Sequence, residues 1–160
     1  MTTRLLRTRL AVDNCRSHLE ESNSWGTEIE AYLTQHILVI MCAEIQQELY
    51  LILENRAEEA SDEELKAFAV ATGKKVLRSV GKTEIANFVG NFGSSAKNHL
   101  NSNLDDREVT LYSNAISNRH DVAHSSGSNI TFRELENILT PASKLIDAVE
   151  RAISTAREAA

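Results

Sequence analysis

Apolar residues recur at helical spacing through a long central segment, which predicts one long helix from Thr27, as its cap, to about Asn55. The residues with this spacing are Ile29, Leu33, Ile37, Ile40, Met41, Ile45, Leu49 and Ile52. The middle of the segment is apolar nearly all round, as expected of a central helix in a bundle. We therefore expect this helix to be the hub of the fold.

Similar spacing predicts further helices on both sides of the hub. Two are expected from Thr3 to about Leu19 and from a Ser61–Glu64 capping box towards Gly81, with one short helix between Gly81 and Leu104. A further helix is expected from Asp105 or Asp106 to His124, where Ser125, Ser126 and Gly127 end it, and a last one from a Thr131–Glu134 capping box onward. Gly73 is expected to weaken the third helix. Pro141 is expected to kink or restart the last one.

Composition agrees with a helical chain of one domain. The 160 residues include one proline, six glycines and 5% aromatic residues, which favours helices over sheets. With 42% hydrophobic residues, a chain of this length can bury a sufficient core. We predict a single all-α domain over residues 1–160, an antiparallel bundle of four to six helices.

Charge and cysteine content restrict the classes of function. The formal net charge of −6 excludes a positive field over the whole surface, so any nucleic acid must be held by local arginines. Cys15 and Cys42 are too few for a disulfide framework and fit buried thiols in a reducing compartment. The segment from Met1 to Leu10 is not a secretory signal, and the apolar run from Ile37 to Ala43 is too short to span a bilayer. We expect a soluble cytoplasmic protein without a membrane partner.

The segment most suggestive of chemistry is Asn-Arg-His-Asp-Val-Ala-His, residues 118–124, at the polar end of an amphipathic helix. A guanidinium such as that of Arg119 can hold a phosphate through two hydrogen bonds, and an imidazole such as that of His124 can move a proton near neutral pH. On a straight helix these two positions diverge. Cooperation between them requires that the helix unwind before His124 or that a second protomer complete the site.

The Arg-x4-His spacing, late in a chain of helices and followed by small residues and a final amphipathic helix, resembles the HEPN superfamily. It is most similar to the branch called RiboL-PSP-HEPN. The resemblance implies a metal-independent endoribonuclease with no cofactor, acting on RNA as a homodimer whose two motifs face each other. Arg119, His124 and His120 are then the expected catalytic residues. A toxin or defence role, with a possible antitoxin partner, is the expected context.

Other interpretations stay open at this stage. Arg119 and His124 could bind exposed carbonyls at a helix end, and the chain could be a non-catalytic HEPN dimerisation module that binds nucleic acid or a protein. His120 could position RNA or lie on the surface. Glu44 and Glu48 could orient the motif, although solvated or partner-facing carboxylates are the ordinary expectation. Three arginines near the N-terminus could form either a basic strip for RNA or a solvated face of the first helix. They are Arg4, Arg7 and Arg9.

Overall fold

The protein is an all-α helical bundle in a computed structural model, which describes residues 4–123 and 130–155 and, for residues 118–123 and 155, the backbone alone. The described part contains seven helices and no strand. They are α1 (Leu6–Glu21), α2 (Glu28–Ala57), α3 (Glu63–Val76), α4 (Lys82–Gly90), α5 (Ser94–Ser102), α6 (Asp106–Ala123) and α7 (Phe132–Thr155). The prediction of an all-α bundle is confirmed.

Contacts divide the chain into two compact units, each built from two stretches of sequence. The first comprises Met1–Glu44 with Arg107–Ser143, and the second comprises Ile45–Asp106 with Lys144–Ala160. Helices α2 and α7 each run from one unit into the other. The assignment of residues 1–160 to one domain stays a prediction.

The first unit has a core of aliphatic and aromatic side chains from four helices. Its most buried members include Leu5, Leu19, Ile37, Leu38, Met41, Tyr112, Phe132 and Leu135. Trp25 packs edge-on against Phe132, with ring centroids 5.3 Å apart. Arg16 on α1 forms an ion pair with Glu136 on α7. Burial of each large aliphatic side chain contributes about 1.5–3 kcal/mol, so the core outweighs such surface pairs.

The second unit has its own core, from the second half of α2, the two short helices and the end of α7. Leu49, Ile85, Val89, Ile146 and Val149 are among its fully buried residues. Two side chains of α2 satisfy the carbonyl of Leu77 just after α3: Gln46 Nε2 donates to it at 3.1 Å and the Tyr50 hydroxyl at 3.2 Å. These bonds fix the place where α3 ends.

Three local predictions need correction. The cap of α3 is Asp62 rather than Ser61, since its carboxylate accepts the amides of Glu64 and Leu65, both at 3.0 Å. The stretch between Gly81 and Leu104 holds two short helices, not one, because Gly93 at φ 120° allows the chain to turn between them. The expected restart at Pro141 is absent.

Helix α7 runs from Phe132 to Thr155 with Pro141 buried inside it. Proline in a helix interior costs about 3 kcal/mol, because it removes one backbone donor and its ring crowds the preceding turn. Buried residues continue at helical spacing on both sides of it, including Leu135, Ile138, Leu139, Ala142, Leu145 and Ile146. At about 1.5–3 kcal/mol for each large side chain, their burial exceeds the cost of the proline.

One helix of the described part, α2, is long and apolar enough to cross a membrane by length and composition. Half of its most apolar window is buried inside the protein, and the core helix of a soluble protein passes the same test. This is weak evidence for a membrane span. The cytoplasmic location stays a prediction.

Candidate functional site

Helix α6 is the element that carries the predicted motif. It begins at Asp106, within the predicted capping pair, and buries one row of side chains in the first unit. Tyr112, Ala115 and Ile116 are at most 4% exposed, whereas Leu111 and Ser117 on the flanks are exposed. The predicted amphipathic helix is therefore confirmed up to the start of the motif.

Arg119 occupies a position on the same row of α6 as these buried residues. It follows Tyr112 by seven residues and Ile116 by three, which are the spacings of one helix face. His120 follows Ile116 by four residues and lies at the edge of that face. The register therefore singles out Arg119 among the residues of α6.

The backbone stays helical from Arg119 to Ala123, so α6 does not unwind within that turn. His124 follows directly and lies outside the described residues. Of the two conditions for cooperation, the unwinding of the helix before His124 is therefore excluded for residues 119–123.

Tyr112 lies two helical turns before Arg119 and is the largest fully buried side chain among the described residues. Burial raises the pKa of its phenol far above the ordinary value, and the nearby Cys42 thiol adds to the shift. Tyr112 therefore stays protonated at all physiological pH values and does not serve as a general base. Its ring is part of the core of the first unit.

The two cysteines are free thiols, with Cys42 buried and Cys15 half-buried on α1. Burial raises the pKa of Cys15, which reduces its thiolate fraction and its reactivity. His18, three residues later on α1, is exposed. Within residues 4–117 and 130–154, where side chains are described, no group of three or more His, Cys, Asp and Glu could hold a metal ion.

Glu44 has a structural role that the sequence did not indicate. Its side chain is buried, and its two carboxylate oxygens accept the amide of Arg7 at 2.9 Å and the amide of Thr8 at 2.7 Å. The Thr8 hydroxyl donates to Oε2 at 2.6 Å. The expectation of a solvated or partner-facing Glu44 is therefore wrong. Glu48, one turn later on α2, is half-buried.

Glu44 accepts hydrogen bonds from backbone amides that have no local acceptor at the start of α1. Leu5 occupies the cap position with φ 58° and ψ 43°, and its side chain has no oxygen to accept a free amide of the first turn. A carboxylate from α2 supplies that acceptor and also favours the positive end of the α1 dipole. Because the cap is 36 residues away from Thr8 in sequence, no local pattern could have identified it.

The three N-terminal arginines do not share one environment. Arg4 is buried, and Arg9 donates from Nε to the Arg4 carbonyl at 3.1 Å and from Nη2 to the Ser143 hydroxyl at 3.2 Å. Arg7 is exposed. The three residues therefore form neither a continuous basic strip nor one solvated face, and only Arg7 is openly available to a polyanion.

Comparison with models of protein families, with curated proteins and with solved structures finds no match for this chain. The features of this chain that bear on its function are the chemistry of the motif and its position at the end of α6.

Proposed function

We propose that this chain is a metal-independent endoribonuclease of the HEPN type. Arg119 holds the scissile phosphate, His124 transfers protons and His120 helps to position the RNA. The observation that carries the proposal is the register of α6, in which the arginine of an Arg-x4-His motif follows Tyr112 and Ile116 on one helix face. A surface arginine that only solvated the helix would be expected on the opposite face.

The proposed reaction is an internal transfer at phosphorus. An imidazole takes the proton of the 2′-hydroxyl, the 2′-oxygen bonds to the adjacent phosphorus, and the bond from phosphorus to the 5′-oxygen breaks. An imidazolium gives the leaving oxygen a proton. The products are a 2′,3′-cyclic phosphate and a 5′-hydroxyl, with no water consumed. The Arg119 guanidinium stabilises the charge that builds up on the phosphate oxygens.

The end of a helix suits these two roles. Carbonyl groups without helical partners give the C-terminal end a partial negative charge, which favours the cationic form of an imidazole directly after Ala123. A histidine that alternates between base and acid needs both forms to be accessible near neutral pH. The position of His124 in the sequence is therefore suited to its proposed role.

We further propose that the active unit is a homodimer with its two motifs facing a shared cleft. One arginine and one or two histidines supply few groups for two proton transfers and charge stabilisation, and pairing doubles that number. A local concentration of cationic side chains would also let a chain of net charge −6 hold RNA. A toxin or defence ribonuclease in the cytoplasm, restrained by an antitoxin, is the proposed context.

Purified protein incubated with total RNA tests the proposal. We expect Arg119→Ala and His124→Ala to lower the rate of cleavage by about 10²–10⁴-fold, the usual contribution of a positioned proton-transfer group or phosphate ligand. Arg107→Ala, at the other end of α6, and His99→Ala, on α5, are matched controls and should stay within about twofold of wild type. Circular dichroism of each variant checks that the fold is intact.

The alternative is a non-catalytic HEPN module that binds nucleic acid or a protein. It predicts that wild-type protein leaves RNA intact while still binding a partner. Equal cleavage by wild type and both motif variants would instead indicate a contaminating nuclease and would contradict the proposal. Arrest of a host by wild-type expression, relieved by the same two substitutions, would support a toxin role.

A further inference from the structure

Helix α3 displays its apolar side to solvent and has no buried residue. Leu65 is 58% exposed, Phe68 67% and Val76 44%. Together with Ala69 and Thr72, they lie on one face at spacings of three, four and seven residues. We call this set of five residues the α3 stripe.

The opposite side of α3 lies against the C-terminal part of α2 and the residue that follows it, through a close approach of Gly73 to Leu53 and two ion pairs. Lys74 Nζ lies 2.5 Å from Glu54 Oε1, and Lys66 pairs with Glu58. A groove of about 460 Å³ remains between these pairs, floored by the small side chains of Ala67, Val70 and Ala71. Partly exposed ion pairs contribute only about 0–1 kcal/mol each, so these two pairs add little to the attachment of α3. An amphipathic helix in an isolated chain ordinarily buries its apolar face.

Beside the α3 stripe, an acidic residue lies near the start of the helix and a basic residue lies near its end. Glu64 and Lys75 are exposed, and neither side chain has a hydrogen bond or ion pair within the described part of the chain. They are eleven residues apart, which is three helical turns, so they lie on the same edge of the stripe. The acidic residue is beside the first turn and the basic residue is beside the last.

This distribution is complementary to itself under a two-fold rotation. If two α3 helices lie antiparallel, Glu64 of each copy comes opposite Lys75 of the other, and the midpoint falls near Ala69 and Val70. A small residue at the crossing point permits a close approach of the two backbones. Paired charges flanking an apolar seam select orientation in the same way in coiled coils. A partner of one charge sign could satisfy only one of the two ends.

We infer that the α3 stripe pairs with the same stripe of a second copy of this chain, antiparallel and about a two-fold axis. This surface belongs to the second unit, whereas the motif belongs to the first, so the inference goes beyond the proposed function and does not depend on it. Two separate isologous surfaces would produce assemblies larger than a dimer. If only the α3 stripe associates, the protein is a dimer without a shared active site.

Sedimentation velocity of the full chain tests the pairing. Phe68→Glu should lower the assembled mass by one step, from tetramer to dimer or from dimer to monomer, because it puts a carboxylate in the seam. Leu10→Glu is the matched control, since Leu10 is 61% exposed on α1 and lies off the stripe. It should leave the mass unchanged. Both sites are exposed, so neither substitution should disturb folding.

Charge exchange gives a sharper test of the antiparallel geometry. Each of Glu64→Lys and Lys75→Glu replaces two attractive contacts by two repulsive ones and should raise the dissociation constant by about tenfold. The double variant Glu64→Lys with Lys75→Glu should return to within about threefold of wild type. A merely destabilised helix would not recover when the second charge is reversed.

Three results would overturn the inference. The first is wild-type protein that remains monomeric up to about 100 µM, where a specific dimer of micromolar affinity would be assembled. The second is an unchanged mass for Phe68→Glu. The third is a charge-exchanged double variant as weak as the single variants. These experiments measure assembly and not RNA cleavage. A failure of the pairing inference can therefore be told apart from a failure of the nuclease proposal.

Discussion

Glu44 on α2 and Thr8 near the start of α1 are joined by two short, buried hydrogen bonds. Oε2 of Glu44 accepts both the amide of Thr8 at 2.7 Å and its hydroxyl at 2.6 Å. Thr8 is fully buried and Glu44 nearly so. Hydrogen bonds to a carboxylate are about twice as strong as neutral ones, and loss of the acceptor would leave two amides unsatisfied in the interior.

We predict that Glu44→Ala lowers the free energy of unfolding by about 2–4 kcal/mol, measured by urea denaturation. Glu20→Ala, an exposed carboxylate on α1, should change it by less than about 0.5 kcal/mol. A double-mutant cycle with Thr8→Val isolates the hydroxyl contact and should give a coupling of about 1 kcal/mol or more. A loss below about 1 kcal/mol for Glu44→Ala would contradict this role.

The capping box of α7 makes the stability of the protein depend on pH. Glu134 Oε2 accepts from the amide and the hydroxyl of Thr131, both at 2.8 Å, and the amide bond is the larger cause of the lowered pKa of Glu134. A folded pKa below the unfolded one stabilises the protein when the carboxylate is ionised. That stabilisation is complete above the unfolded pKa and is lost as pH falls through the folded one.

We therefore predict that Glu134→Gln destabilises the protein at pH 7 and that the difference from wild type shrinks towards pH 3. Thr131→Ala should cost about 1 kcal/mol at pH 7, the usual value of such a cap. Thr83→Ala, exposed within α4, is the control. A difference between wild type and Glu134→Gln that grows on acidification would show that the sign is wrong.

At Gly73, we predict an effect of alanine on stability that is opposite to the one expected from helix propensity. Replacing glycine by alanine in an exposed helix normally stabilises by about 1 kcal/mol. At Gly73 an added Cβ would lie 2.5 Å from Cδ2 of Leu53, which is only 3% exposed. Overpacking of this kind costs about 1–3 kcal/mol, so Gly73→Ala should give a net loss of stability.

The same substitution in a Leu53→Val background supplies the control, since valine has no Cδ atom. There Gly73→Ala should stabilise the protein, and thermal unfolding of the four proteins gives the cycle. Equal effects in both backgrounds would mean that Leu53 moves aside freely. The sequence indicated only a weak point at Gly73, and the structure adds the reason for the glycine.

Local patterns predicted much of this fold. The Thr131–Glu134 box and the Thr27 cap of α2 are both present, because each depends on residues within one turn. The Thr27 hydroxyl accepts the amide of Ile29 at 3.2 Å, as a cap should. Asp62 replaced Ser61 as a cap because two adjacent residues of similar propensity competed for one position.

Features set by tertiary packing could not be predicted in this way. The capping role of Glu44 depends on a helix 36 residues away from Thr8, and the continuity of α7 through Pro141 depends on burial on both sides. Spacing alone revealed an apolar face on α3 but not that it lies outward. At the motif, the sequence predicted Arg119, His120 and His124, and the register of α6 adds that Arg119 lies on the helix face that carries Tyr112 and Ile116.

Mixing of inactive variants tests the shared site of the proposed dimer. If each site takes Arg119 from one protomer and His124 from its partner, a mixed dimer of Arg119→Ala and His124→Ala has one intact site. Equal mixing after exchange should then restore about a quarter of wild-type cleavage. Mixing Arg119→Ala with Arg119→Lys/His124→Ala is the control and should restore less. A fully active monomer would contradict the shared site.

The most direct test of the nuclease proposal is to analyse the RNA ends produced by purified protein in EDTA. Arg119 and His124 need no metal for the proposed reaction, so cleavage should persist and leave 2′,3′-cyclic phosphate and 5′-hydroxyl ends. The Arg119→Ala protein should leave the same RNA intact. Complete inhibition by EDTA that magnesium reverses, or products with 5′-phosphate ends, would contradict the mechanism.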